Sequence, residues 1–152
     1  MKRKISLSMC CIAAFSVLIT ALMISLVLYN RNYKNMTNYI QNEAEYMAAA
    51  MNYNGVEYLD SVKDVSPSRI TWIANDGNVI FDNSGKKMEN HSDRSEFKEA
   101  IKSGIGESSR LSETLGKKTY YYAILMNDGT VLRISDTCLL YTSPSPRDTE
   151  RS

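Results

Sequence analysis

From Ile5 to Tyr29 the chain carries no charged residue for about 25 positions, most of them Ile, Leu, Val, Ala, Met or Phe. A helix rises 1.5 Å per residue, so about 20 such residues cross a hydrocarbon core of about 30 Å. The block therefore predicts a membrane-spanning helix. Its serines and threonines are tolerable there, because hydroxyls bond back to helix carbonyls. Lys2, Arg3 and Lys4 precede it, which by the positive-inside rule puts the N-terminus in the cytoplasm and the chain beyond Tyr29 outside. Arg31 and Lys34 weaken that bias without reversing it. A cleaved signal peptide is the alternative, but its apolar core is shorter and ends in a small-x-small site, which Leu28-Tyr29-Asn30-Arg31 lacks.

Past the block the apolar positions become periodic. Met36, Ile40, Ala44, Met47, Ala48 and Met51 fall on one helical stripe, with Asn35, Asn38, Gln41, Asn42 and Glu45 on other faces. Asn54-Gly55 supplies a stop. This predicts a stalk helix whose stripe packs on its own domain, on a partner's stalk, or on each at a different height.

From Arg69 the period shortens to that of strands. Arg69–Ala74 and Val79–Asp82 flank Asn75-Asp76-Gly77-Asn78, a hairpin signal. Asp93 is the expected N-cap of a short helix, Ser95–Lys102, with Phe97, Ala100 and Ile101 on one face and Gly104 ending it. Strands come next at Glu107–Leu111, Thr119–Met126 and Val131–Ser135, the last two joined by a second Asp-Gly turn. The expected fold class is α+β: a transmembrane helix continuing into a stalk helix, then a PAS-like antiparallel sheet with flanking helices. Tyr121 is expected to face opposite to Tyr120 and Tyr122, one side packed in the core and the other exposed.

Composition adds little. The 152 residues have a formal net charge of +1 and no basic stripe beyond the first few positions, so no nucleic-acid partner is indicated. Of three cysteines, Cys10 and Cys11 lie in the apolar block and Cys138 near the end, which leaves Asn30 to Asp136 to rely on packing rather than disulfides.

Arg69-Ile70-Thr71-Trp72-Ile73, the Asp76-Gly77 turn, Met88-Glu89-Asn90-His91 with Asp93-Arg94, Gly106–Arg110, Lys118–Ala123 and Asp128–Arg133 form an ordered series. That series resembles the extracytoplasmic PAS-like (Cache/PDC) sensor of phosphate-regulon-type two-component sensor histidine kinases of Gram-positive, clostridia-like bacteria. The resemblance covers Met1 to about Ser135. It implies a single-pass cell-membrane sensor fragment whose sensor domain is extracytoplasmic, with a homodimer formed through stalk and transmembrane helices. It also implies an unknown small ligand or envelope signal, and a response regulator reached only through a cytoplasmic part that lies beyond this sequence. The same sensor on a chemoreceptor or diguanylate cyclase, and a stand-alone anchored binding domain, are the alternatives. The expected organisation is residues 1–4 cytoplasmic, 5–29 transmembrane, 30–54 stalk, 55–136 sensor and 137–152 an artefactual tail.

Catalytic residues are not expected in this fragment. His91, the only histidine, lacks the His-Glu or His-Asp context of a phosphoacceptor, and no Gly-rich nucleotide motif or nucleophile elbow is present. No cofactor and no metal are expected, since His91 with Glu89, Asp93 and Glu96 reads more simply as a solvated helix start. The candidate ligand residues are His91, Arg94, Arg110 and Tyr121. Guanidinium groups suit carboxylate or phosphate, and surface ion pairing is the ordinary alternative. The expected pocket lies between the sheet and the Asn83–Arg94 segment. The stretch Cys138–Asp148, finally, resembles a translated sequencing adapter: codons for it spell a string like a transposase mosaic end with its library primer. The gene is thus expected to be cut just before a second membrane helix.

Overall fold

The computed structural model describes residues 2–55, 57–85, 88–111 and 118–137, with side chains from residue 9 onward. The expected tail, Cys138 to Ser152, lies outside the described residues. The chain divides into two units, Met1–Asn35 and a second beginning at Met36. In the first, Met9 to Leu28 form helix whose large apolar side chains are exposed on every side, and this is the one helix among the described residues long and apolar enough to cross a membrane. Thr20 donates its hydroxyl to the carbonyls of Ser16 and Val17, as expected of a hydroxyl in such a helix.

The helix is continuous by hydrogen bonding as α1, Lys2–Asn54. Within the second unit its stripe turns inward. Ile40, Ala44, Met47, Ala48 and Met51 are buried, and Met36 packs against them. The stripe packs on its own domain, the first of the alternatives left open by the sequence. Gly55 stops the helix at a φ of 71°, with its N–H on the carbonyl of Met51 at 2.9 Å. A short helix that the sequence pattern did not announce, α2 (Glu57–Val62), comes next and buries Leu59.

The sheet has five strands: β1 (Arg69–Ile73), β2 (Val79–Asp82), β3 (Ile105–Leu111), β4 (Lys118–Leu125) and β5 (Val131–Thr137). Their order is β2-β1-β5-β4-β3 and every neighbouring pair is antiparallel. The expected α+β class with an antiparallel sheet is therefore the fold. β5 runs through Thr137, one residue beyond the expected sensor boundary. The β1–β2 and β4–β5 turns are built alike. Ala74 N–H meets the carbonyl of Asn78 and Met126 N–H that of Thr130, each at 2.8 Å. Asp76 and Asp128 each accept the backbone N–H two residues on. Within these turns positive φ falls on Gly77 and Gly129 and on no Asn or Asp, because the aspartates act here through their side chains.

Strand alternation sorts the core into two faces. Ile70, Tyr120, Tyr122, Leu132 and Ile134 meet α1 and Leu59 on one side. Ile73, Ala123 and Val131 meet Phe97 and Ala100 of α3 (Ser95–Ser103) on the other. Gly104 closes α3 at a φ of 90°, as the sequence predicts. Two expectations about α3 change. Its N-cap is Arg94, with no side-chain cap bond, because Asp93 reaches Lys98 at 3.2 Å instead. Its buried face is Glu96, Phe97 and Ala100, leaving Ile101 42% exposed. An acidic residue has taken the place expected for an apolar one.

Candidate ligand site on the sheet

Three strand arginines lie on the α3 side of the sheet, Arg69 on β1, Arg110 on β3 and Arg133 on β5, together with one strand carboxylate, Asp82 on β2. Alternation turns Arg69 and Arg133 inward, since their neighbours Ile70 and Ile134 are committed to the α1 core, and pairing opposite Thr119 sets the half-buried Arg110 on the same face. A buried charge is costly unless paired and hydrogen-bonded. Arg69 is paired with Asp82 across the hairpin, its Nε donating at 3.0 Å, and Asp82 also accepts from Thr71 and Ser84. Burial raises the Asp82 pKa, but the bonds from Ser84, Arg69 and Thr71 outweigh it and leave it lowered.

Arg110 and Arg133 share Glu96. Arg110 forks onto the carboxylate, Nη1 to Oε2 at 2.5 Å and Nη2 to Oε1 at 2.7 Å. Arg133 donates from Nη1 to Oε1 at 3.2 Å, and Ser108 adds its hydroxyl to Oε2 at 2.8 Å. Glu96 is wholly buried, and burial alone would raise its pKa. The hydrogen bonds from Arg110 and Ser108 bring it down to about 2. Arg133 is 3% exposed; its Nη2 donates to Thr71 and its Nε has no partner. Burial lowers its pKa, with Glu96 opposing.

His91 closes the same region from the loop before α3. Its backbone N–H meets the carbonyl of Gly77 at 2.7 Å, docking the loop onto the β1–β2 turn. A Cβ at Gly77 would stand 2.4 Å from the backbone nitrogen of Ser92, so the close approach requires glycine. The imidazole is 4% exposed and its Nδ1 is unpartnered. Burial first, then the charges of Arg133 and Arg94, push its pKa down to about 4. The ring is thus neutral at pH 7.

Of the four candidate residues, Arg110 and Tyr121 are in direct contact. The Arg110 guanidinium lies 4.0 Å from the Tyr121 ring centre, and Arg133 lies 5.2 Å from it. Tyr121 does face opposite to Tyr120 and Tyr122, yet it is buried rather than exposed, because arginines rather than water cover it. His91 joins this group through the charges it feels. Arg94 is half-buried at the helix start and acts on His91 by its charge. Arg110, for which surface pairing was the ordinary alternative, pairs with a buried carboxylate.

Glu96 and Arg133 are the residues that sequence reasoning missed as a site. The available signal was a charge inside Val131-Leu132-Arg133-Ile134, an otherwise apolar strand, and an acid beside the Phe97–Ala100 face. Among the described residues no group of three or more His, Cys, Asp or Glu is placed to hold a metal ion.

Among the described residues the surface of the domain carries two sizeable hollows. One, of about 230 Å³, is lined by Arg69, Thr119, Tyr121, Ser135 and their neighbours at the strand ends. The other, of about 520 Å³, lies among Tyr39, Tyr46, Met47, Tyr58 and Val62 and contains none of the candidate residues. The Asn83–Arg94 segment borders neither.

A family model described as single Cache-like matches residues 30–133. No curated protein matches the chain. Among solved structures, the Bacillus subtilis YkuI protein, with an EAL domain and in complex with its substrate c-di-GMP and calcium, is similar at 14% identity. That match has a TM-score of 0.43, covering 68% of this chain and 34% of that one. The present chain thus spans about a third of the YkuI chain.

Proposed function

The chain belongs to the single Cache-like family of extracytoplasmic sensors, and from that premise we propose that it is the input part of a membrane-anchored sensor histidine kinase of the phosphate-regulon type. The observation that carries the sensing role is the buried Glu96–Arg133 pair, joined by the half-buried Arg110, beside His91. Charges held in a domain's interior with two nitrogens left unpartnered are expensive for stability alone, and they suit a site whose packing responds to an occupant.

In this reading residues 1–4 are cytoplasmic, 5–29 span the membrane and 30–54 form the stalk. Residues 55–136 sense a small ligand or envelope state outside the cell, and the tail from 137 is not native. His91, Arg94, Arg110 and Tyr121 belong to the responsive region. A ligand acts by favouring one of two packings of the sheet against α1 and α3, and a dimer of stalks carries the difference across the membrane. The kinase output rests on the series of sequence matches from Arg69 to Arg133 together with the apolar N-terminal helix.

Resequencing the source locus across the codon for Asp136 tests this directly. A frame continuing into a second apolar helix and a His-Glu-x-x-x-Pro box supports the kinase; a methyl-accepting or cyclase domain there replaces that output and keeps the sensor. A genomic stop after Ser152 makes the chain a stand-alone binding domain. Alkaline phosphatase fused after Asp136 is expected to be active, which requires the sensor to lie outside.

A further inference from the structure

On the α1 side of the sheet, α1 carries a second stripe beside its buried one. Tyr39, Glu43 and Tyr46 stand at i, i+4 and i+7, each one position before Ile40, Ala44 and Met47 of the inward stripe. α2 and the connection to β1 supply the opposite wall, and the hollow of about 520 Å³ lies between. Its lining is aromatic and aliphatic, with Tyr46 on α1 across from Tyr58 and Val62 on α2. The volume falls within the roughly 300–1,000 Å³ of small-molecule sites, which are mostly apolar and hold a few placed polar groups.

The placed polar group here is Glu43. Its Oε1 accepts the Ser66 hydroxyl at 2.8 Å and its Oε2 that of Ser68 at 2.5 Å, which ties α1 to the segment before β1. Two neutral donors fill about half of a carboxylate's acceptor sites. Among the described residues no cation pairs with Glu43. Charge around the groove has one sign. Between Asn35 and Val62 the chain holds Glu43, Glu45, Glu57 and Asp60 and no Lys or Arg. The next base, Lys63, is on Asp60 at 3.2 Å. The charge of Glu43 also reaches Asp136, whose pKa is raised by burial first and by Glu43 as well. A second copy of the chain is a poor occupant, because it would bring the same acids to the groove, and like charges across an interface repel.

We infer that this groove binds a small organic cation, an ammonium carrying apolar or aromatic substituents, with the Glu43 carboxylate as counter-charge and the rings of Tyr46 and Tyr58 as aromatic walls. The inference goes beyond the sensing role of the α3 face, since none of His91, Arg94, Arg110 and Tyr121 lines this groove. Ring faces carry the negative side of the aromatic quadrupole, so they attract a cation that has apolar surface to bury. A carboxylate beside the rings repels anions and gives the ammonium an advantage over a neutral molecule of the same shape. Because Glu43 also holds Ser66 and Ser68, a cation seated here bears on the junction of α1 with β1.

The test is thermal unfolding of the full chain in dodecyl maltoside with phenyltrimethylammonium chloride. Sodium chloride at matched ionic strength and benzyl alcohol, a neutral aromatic, are the controls. A saturable rise in Tm with the ammonium alone is expected. Glu43→Gln should weaken the affinity about tenfold or more. Tyr46→Ala, at a side chain 76% exposed and outside the core, should keep the fold and weaken the affinity about fivefold. Absence of a saturable response to the ammonium overturns the inference, as does an equal response to benzyl alcohol or an unchanged affinity in either folded variant. If light scattering shows a dimer that Tyr46→Ala breaks, the groove belongs to a second copy and the inference also falls. The sensing role fails separately: a kinase reporter that ignores substitutions at Glu96, Arg110 and Arg133 removes that role and leaves this site standing.

Discussion

Glu96 on α3 and Arg133 on β5 are 37 positions apart in the chain and meet at 3.2 Å with both side chains out of water. The same carboxylate takes the Arg110 fork from β3, so one side chain joins a helix to two strands.

Removing that carboxylate should be severe. Glu96→Ala leaves Arg133 buried without its anion, and loss of one partner from a buried pair costs about 3–5 kcal/mol. Urea unfolding of the variant should show that loss. The double replacement Glu96→Leu with Arg133→Met removes both charges and should recover a large part of it. If the double variant is no better than the single one, the charge is not the cause of the damage.

Acid should destabilise the domain in two stages. His91 has its folded pKa at about 4 against an ordinary 6.5, so its contribution is full above pH 6.5 and is lost as pH falls toward 4. Glu96, at about 2 against 4.5, contributes fully above pH 4.5 and loses that contribution between pH 4.5 and 2. Measured Tm against pH should therefore fall below pH 6.5 and again below pH 4.5. His91→Asn should flatten the first stage and keep the second.

Gly106 is the contact point of β3 with α3. A Cβ there would lie 2.0 Å from the Glu96 carbonyl oxygen and 2.7 Å from the Ala100 nitrogen, both backbone atoms. Gly106→Ala must push the helix off the strand, at about 1–3 kcal/mol or more. The result shows in denaturant unfolding and, because Glu96 moves with the helix, in a shallower pH slope below 4.5.

The stripe of α1 offers an internal comparison. Ile40 is fully buried against the sheet, so Ile40→Ala should cost about 2–5 kcal/mol. Tyr53, 91% exposed on the same helix, should tolerate Tyr53→Ala within about 0.5 kcal/mol. Equal effects at the two positions would contradict packing of the stripe on its own domain.

Much of this architecture is written in local pattern. An uncharged run of about 25 residues, a helical stripe from Met36 to Met51, alternating strands and two Asp-Gly turns depend on neighbours in sequence, and periodicity reads them directly. α2 escaped because six residues show too little period to separate a helix from a loop. Asp93 was misread because its side chain found Lys98 rather than a backbone N–H, a choice that capping rules do not decide.

The sequence by itself determined every element but α2, their class and the glycines at the turns, because each of those comes from a residue's own backbone preference and its nearest neighbours. Only the tertiary structure decided which charges are buried. Arg69, Arg110 and Arg133 look alike along the chain, yet the register of the paired strands puts all three on one face, the order β2-β1-β5-β4-β3 spaces them across it, and the docking of α3 brings Glu96 to two of them. Periodicity carries no information about which strand lies beside which, so the site came into view only when the sheet was assembled.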